Sequence, residues 1–281
     1  MNPAIIRTCG AAEVAALVAF AAKAGWNVGF SDADFLHRVD PDAYLIALDG
    51  EEVIGSAAAV RYGTDFGFIG YHIVRTDARG RGLGKKLLES AMSKLGQRSI
   101  GLNSLERQMG YYEPFGFSAA HPILRYAGNS SPVRADFPDM VSPFMLPFEK
   151  LEKFERTIFP YDRKQFLSCW LAQPGSMLMA KYADNEYRGY GMFRPCVSGF
   201  KIAPLLCRDP QTAAELLTFL LAQLPAASAY HIDIPADNED AIRLAESVGM
   251  KKSGSFVRMY SRPAPRVYLK NVYGFPAAEI G

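Results

Sequence analysis

The sequence predicts an α/β (α+β) chain of two successive units, each a mixed, mostly antiparallel sheet flanked by helices. Three observations predict it. Apolar runs of strand length alternate with segments whose apolar residues recur at helical spacing. A glycine-rich loop stands between a strand and a helix, deep in a run of strands rather than after the first one. The second half then repeats the order of the first. Tyr112-Glu113-Pro114-Phe115-Gly116-Phe117 and Ala245-Glu246-Ser247-Val248-Gly249-Met250 are both helix ends followed by Gly and an apolar strand start, which reads as an internal repeat. A length of 281 residues suits two compact domains, because single cores stop growing near that size.

In the first half, residues 13–24 are helical by composition and Trp26-Asn27 follows their end. Residues 34–38 form a second short helix. Residues 44–48, 53–62 and 66–74 read as strands, the first two joined at the turn signal Asp49-Gly50. Past the loop, Leu87, Leu88, Ala91, Met92 and Leu95 share one helical face, and Gly96 stops that helix. Residues 100–102 are a strand, 107–112 a short helix ending near Gly116, and 123–126 a strand. Pro132, Pro138, Pro143 and Pro147 mark residues 129–147 as an ordered linker. It separates a first domain, 1–128, from a second, 148–281. The second reads as strands at 177–182, 189–193 and 200–206, a helix at 212–224, a strand at 231–234, a helix at 239–248 and a strand at 255–260.

Composition narrows the function. Hydrophobic residues make up 49% and charged residues 21%, with a formal net charge of +2. That balance excludes disorder and gives no electrostatic case for nucleic acid or an anionic membrane. The four cysteines, Cys9, Cys169, Cys196 and Cys207, form no C-x-x-C pair, so neither a metal site nor a redox motif is expected. The first ten residues lack the apolar core of a signal peptide. A cytoplasmic protein with free thiols is the expectation.

The loop, Arg79-Gly80-Arg81-Gly82-Leu83-Gly84, carries the chemistry. Glycines let backbone N–H groups approach an anion, and the following helix N-terminus adds favourable partial charge. Arg79, Arg81, Lys85 and Lys86 concentrate positive charge there, so a compact polyphosphate is the expected ligand. A Walker A loop is excluded, since its Gly and Lys-Ser/Thr positions are not met. A dinucleotide loop fails at Lys85, where its third Gly belongs.

Arg-x-x-Gly-x-Gly after an apolar strand ending in Val resembles the acetyl-CoA signature of the GNAT superfamily of N-acetyltransferases. The downstream segment Tyr111-Tyr112-Glu113-Pro114-Phe115-Gly116-Phe117 is similar to the superfamily's second signature. Gly25-Trp26-Asn27, the strand through His72-Ile73-Val74-Arg75 and the closing segment Val272-Tyr273-Gly274-Phe275 further resemble bacterial two-domain GNAT proteins whose second domain is degenerate. The resemblance implies a GNAT fold followed by a second GNAT-like domain. It implies direct acetyl transfer from acetyl-CoA to an amine in a ternary complex, without metal or enzyme cysteine. Arg79, Gly80, Arg81, Gly82, Leu83, Gly84 and Lys85 would hold the pyrophosphate. Backbone N–H groups at Ile73 and Val74 would face the thioester and its developing oxyanion. Tyr112 would protonate the leaving thiolate, the alternative being that its ring packs beside the pantetheine. His72 is a candidate base, the alternative being a satisfied polar residue in an apolar strand. Trp26 and Asn27 would border the acceptor, the alternative being a core anchor with a helix stop. Tyr111 reads as packing, and His121 as exposed.

The second half lacks the machinery. After Leu206 the chain reads Cys207-Arg208-Asp209-Pro210, with no Gly-x-Gly, and Ala245 replaces Tyr112. Its expected task is to wall the acceptor cleft or to mediate a homodimer. The tail at 271–281 reads as an edge strand; alternatively it packs back on the first half and brings Glu279 near the cleft. The preferred function is acetylation of a small-molecule amine, with an acyl-CoA sensor and a protein or peptide acetyltransferase as alternatives.

Overall fold

The computed structural model describes residues 4–131, 137 and 139–281. Residues 132–136 and 138 of the predicted linker lie outside the described residues, as do residues 1–3. In chain order the elements are β1 (Ile5–Thr8), α1 (Ala11–Lys23), α2 (Asp32–Val39), β2 (Tyr44–Asp49), β3 (Glu52–Tyr62), β4 (Phe66–Val74), α3 (Leu83–Leu95), β5 (Ser99–Ser104), α4 (Met109–Tyr112) and β6 (Ser118–Asn129). There follow β7 (Met140–Val141), α5 (Phe148–Arg156), α6 (Lys164–Trp170), β8 (Met177–Ala183), β9 (Glu186–Pro195), β10 (Phe200–Cys207), α7 (Pro210–Ala222), β11 (Ala229–Pro235), α8 (Glu239–Ser247), β12 (Lys251–Tyr260) and β13 (Val272–Gly274).

The strands of both halves join one sheet in the order β1-β2-β3-β4-β5-β12-β6-β11-β10-β9-β8-β7, with β13 pairing off this path to β10. Adjacent pairs are antiparallel except β4–β5 and β10–β11. The halves interleave. β12 of the second half pairs with β5 on one side and β6 on the other, and β6 pairs in turn with β11. Strand order along the sequence therefore does not predict strand order in space. β6 is three times longer than the four residues its apolar pattern shows, because it is paired on both sides and its polar ends are held by neighbours.

Period-two alternation sorts the core. On β3, Ala57 and Ala59 face Leu87, Leu88 and Ala91 of α3. Ala58 and Val60 face the opposite cluster with Val14 and Leu17 of α1. That second cluster runs through both halves, taking in Phe35, Tyr44, Phe68, Trp170 and Tyr190. The helices of the second half, α7 and α8, cover a separate cluster built on Leu216, Leu217, Leu220 and Ile232. Sequence patterning did not reveal β1, β7, α5 or α6. These are short, and their pairing partners lie far along the chain.

A buried ion pair locks the halves together. Arg194 on β9 donates to Asp32 at the start of α2, and both side chains are almost fully buried. Asp32 also accepts from the Gly29 N–H at 2.9 Å. Position 29 has to be glycine, since a Cβ there would meet the Arg194 guanidinium at 1.9 Å. Arg194 additionally lies over the Trp170 ring, 4.6 Å from its centroid. Removing one partner strands a buried charge, which typically costs about 3–5 kcal/mol. Arg194→Met is expected to lower the urea-unfolding free energy by that order, and a loss under about 1 kcal/mol would show that the pair does not hold the halves.

Candidate active site

β4 and β5 run parallel and in register only from Phe66↔Ser99 to Ile69↔Leu102. Beyond that point they splay, and a cleft of about 880 Å³ opens between them. A bulge shapes its floor. Ser56 and Ala58 of β3 face Ile73 and Gly70, so β4 carries one extra residue there. Tyr71 takes a left-handed φ of 47° at the bulge, a strained conformation for a non-glycine residue. Its carbonyl is satisfied by the Ser56 hydroxyl at 2.7 Å. Its ring turns away from the cleft into the core and stacks on Trp26, with centroids 5.6 Å apart.

The glycine-rich loop forms one end of the cleft. Gly80 and Gly82 have φ near 77° and 75°, and a Cβ at either would meet nothing within 4 Å. Conformation, not crowding, therefore calls for glycine there. Gly82 is the N-cap of α3 and offers no side chain to the first turn, so the helix presents its leading N–H groups to a ligand. α7 occupies the matching place in the second half and is closed to anions. Its N-cap Asp209 accepts from the Thr212 N–H at 2.8 Å. The matching splay between β10 and β11 is filled as well. β13 pairs with β10 at Leu205 and Leu206, and the Phe275 N–H donates to the Asp233 carbonyl at 2.8 Å.

Among the predicted residues, Trp26, Asn27, His72, Ile73, Val74, Arg79, Gly80, Gly82, Leu83, Gly84, Lys85 and Tyr112 all line this one cleft. Arg81 sits in the loop but off the lining. Arg79 donates to the Val74 carbonyl at 3.0 Å, tying the loop back to β4. Asn27 lies at the rim with its amide engaged on both sides. It donates to the Ser198 carbonyl at 2.9 Å and accepts from the Ser198 N–H at 2.8 Å.

His72 and Tyr112 form a connected pair. One imidazole nitrogen, Nε2, stands 3.0 Å from the Gly84 carbonyl oxygen, and Nδ1 stands 3.0 Å from the Tyr112 hydroxyl. A carbonyl only accepts, so Nε2 carries the proton and Nδ1 accepts from the phenol. Burial lowers the His72 pKa, partly opposed by the Gly84 contact, and keeps the ring neutral. Burial also raises the Tyr112 pKa, so the phenol keeps its proton. A Cβ at Gly84 would come within 3.0 Å of the Tyr111 hydroxyl and make ordinary contact with His72 Nε2 at 3.7 Å.

Tyr111 lines the cleft too and is substantially exposed. Adjacent residues on α4 point about 100° apart, so both tyrosines can flank one wall. Asn103, Arg125, Phe256 and Glu279 complete the lining from β5, β6, β12 and the tail. Neither Arg125 nor Phe256 carries any local sequence signal, because interleaving alone brings them here. The tail does fold back on the first half. The Asn103 amide donates to the Ala278 carbonyl at 2.9 Å, and the Tyr62 hydroxyl donates to the Ile280 carbonyl at 2.5 Å. His121, expected at the surface, is buried on β6 and stacked on Phe275 of that tail. Among the described residues no cluster of His, Cys, Asp or Glu could hold a metal ion, and no helix is long and apolar enough to cross a membrane.

Residues 12–117 match the acetyltransferase (GNAT) family, and residues 151–274 match the acetyltransferase (GNAT) domain. Holothin acyltransferase of Pseudoalteromonas sp. (strain SANK 73390) is 23% identical over 257 residues, covering 91% of this chain and 87% of that protein. The uncharacterized N-acetyltransferase YitH of Bacillus subtilis is 22% identical, covering 70% of this chain and 71% of its own. Among solved structures, a putative acetyltransferase from Pyrococcus horikoshii superposes with a TM-score of 0.85 at 22% identity. It covers 100% of this chain and 97% of that one. A tandem GNAT protein from the clavulanic acid biosynthesis pathway superposes at 0.66 with 14% identity, covering 93% and 100%.

Two histidines buried outside the cleft lining, His121 and His231, predict an acid limit. Desolvation first, with Arg258 near His121 and Lys201 near His231, lowers both from 6.5 to about 3. The unfolded chain takes up these protons below pH 6.5 and the folded chain does not. Stability is therefore fully present above pH 6.5 and falls as the pH drops toward 3, by about 1.4 kcal/mol per unit for each histidine. Urea unfolding between pH 7.5 and 5 should show stability falling toward the acid end, with His72 adding to the fall, and His121→Gln should make it shallower. A flat profile would mean that neither ring is held neutral.

Proposed function

The chain belongs to the GNAT acetyltransferase family, with two such domains in tandem, and from that premise we propose that it acetylates an amine of a small-molecule acceptor. Enzymes of this family use acetyl-CoA, which supplies the activated acetyl thioester when bound. One juxtaposition carries the reading. The uncapped N-terminus of α3, the bulged strand at Ile73 and Val74 and the Tyr112 phenol meet in a single cleft. The chain spans most of the length of the relative named holothin acyltransferase, which fits an acyl-transfer activity.

In this reading, the leading N–H groups of α3 hold the pyrophosphate, with Arg79 and Lys85 adding charge. The Val74 N–H, on the edge of β4 turned away from β3, donates to the thioester oxygen, where a preorganised donor contributes most, while Ile73 is paired with Ser56 of β3. Tyr112 gives its proton to the leaving sulfur by turning its O–H from His72 Nδ1 toward the thiolate, and the tyrosinate regains a proton from the one the attacking amine sheds. His72 acts through Tyr112: its Nδ1 holds the phenol in place, and its Nε2 is anchored on Gly84. With both ring nitrogens engaged, His72 serves better as a positioning group than as the base for the amine. Trp26 offers a ring face to the acceptor. Asn27 fixes the rim by gripping Ser198 of the second half.

Residues 1–128 are assigned as the catalytic domain and 148–281 as the domain that walls the acceptor. The two family matches fall within these bounds. Side chains from β6, β12 and the tail enclose the acceptor side, which favours a small molecule over a protein surface.

Amine-dependent CoA release across a panel of amines, polyamines, amino acids and peptides tests the reading. Tight acetyl-CoA binding with no turnover would favour a sensor. Tyr112→Phe should lower kcat by about 100-fold with acetyl-CoA affinity nearly unchanged, and unaltered kcat would remove Tyr112 as the acid. Gly82→Glu places bulk and negative charge at the helix N-terminus, and calorimetry should show acetyl-CoA binding abolished. Retained affinity would exclude the loop as the phosphate site.

A further inference from the structure

Glu279 reaches the cleft from the far end of the chain. Its backbone carbonyl presses on Gly70, where an added Cβ would come within 1.5 Å of the Glu279 oxygen. Gly70 immediately precedes the bulge of β4. Glu279 is one of the residues that line the cleft, together with Trp26, Asn103 and Phe256.

This carboxylate is poorly partnered for a buried one. Its side chain is 7% exposed, and Oε2 is buried without a hydrogen-bond partner. Lys201 Nζ stands 3.9 Å away, but lies 2.9 Å from Asp233. Arg125 is held by Asp233 through two bonds of 2.7 and 2.8 Å. Arg194 belongs to Asp32. The two arginines are thus committed to the other two acids, while Lys201 lies between Asp233 and Glu279 and hydrogen-bonds neither. Burial works against the charged form of Glu279, but Lys201, Arg194 and Arg125 outweigh it and hold the carboxyl below its usual range. It therefore meets a ligand as an anion.

Buried carboxylate oxygens in folded proteins are almost always supplied with donors. An ammonium group brings three N–H donors and a complementary charge. We propose that Glu279 is the specificity-determining anchor for the acceptor, binding its ammonium group and selecting small primary amines that arrive as cations. The inference rests on the reading of this cleft as the acceptor side of an amine acetyltransferase.

Calorimetric titration of n-butylammonium, spermidine and the neutral n-butanol into the CoA-loaded protein tests it. The wild type should bind n-butylammonium at least about tenfold more tightly than n-butanol, a difference that needs no variant. Glu279→Gln keeps the shape and should weaken both amines by at least about tenfold, with n-butanol and acetyl-CoA affinities unchanged. A wild type that shows no preference for the cation overturns the assignment. So does equal amine affinity in the two proteins, which would leave Glu279 only to balance the charge of Lys201. Amine-dependent CoA release is scored separately. Its absence would sink the acetyltransferase reading, while the titration still decides Glu279.

Discussion

The insertion of β12 between β5 and β6 is the constraint on which the rest of this structure depends. Without β12, β5 and β6 would each expose an unpaired ladder at the middle of the sheet. Because the strand that fills the gap comes from the second half, neither half completes its own sheet. The aromatic cluster on one face consequently runs across both halves, while α3 and α7 cover separate clusters on the other. The same interleaving carries Phe256 and Arg125 to the rim of a cleft whose loop lies in the first half.

Two parallel strand pairs splay in this sheet, and only one leaves room for a ligand. The difference is built from ordinary parts. At α3 the N-cap is a glycine in the left-handed region, so the helix end stays open. At α7 it is an aspartate whose carboxylate already occupies the first-turn N–H. At β4–β5 the opening remains a cleft, whereas at β10–β11 the short strand β13 lies against β10 and closes it. A tail that fills one site and then crosses to the floor of the other couples the two halves by packing. The filled splay in the second half is thus the counterpart of a completed wall in the first.

In and behind the cleft, polar groups fall into two sets with different demands. Tyr112, His72 and Gly84 form a short chain in which each proton position is dictated by the acceptor at its end. Burial keeps both rings neutral, the state in which a phenol can still give up a proton. The second set is ionic, and runs from Asp32 and Arg194 through Lys201 and Asp233 to Arg125. Buried charges are tolerated only when paired and hydrogen-bonded. Glu279 Oε2 and Lys201 Nζ, 3.9 Å apart, both lack a hydrogen-bond partner within this network.

Local rules were enough for much of this. Apolar spacing marked β2 to β5, α1, α3, α7 and α8 close to their observed bounds, since each buries a periodic face. The loop and the Tyr112 segment were readable because phosphate binding needs glycine conformations and an open helix end within a few consecutive residues. Other features carried no such mark. β1 and β7 are held by partners distant in sequence, and β6 by pairing on both sides. The contacts of Asn27 with Ser198, the burial of His121 and the entry of Arg125, Phe256 and Glu279 into the cleft join residues more than a hundred positions apart in most cases. The sequence by itself determined the fold class, the two-unit order and the glycine-rich loop with its open helix end, because those follow from periodicity and backbone chemistry over short stretches. Only the tertiary structure decided what surrounds the acceptor, because that wall is assembled by strand exchange and by a tail whose position depends on the completed sheet.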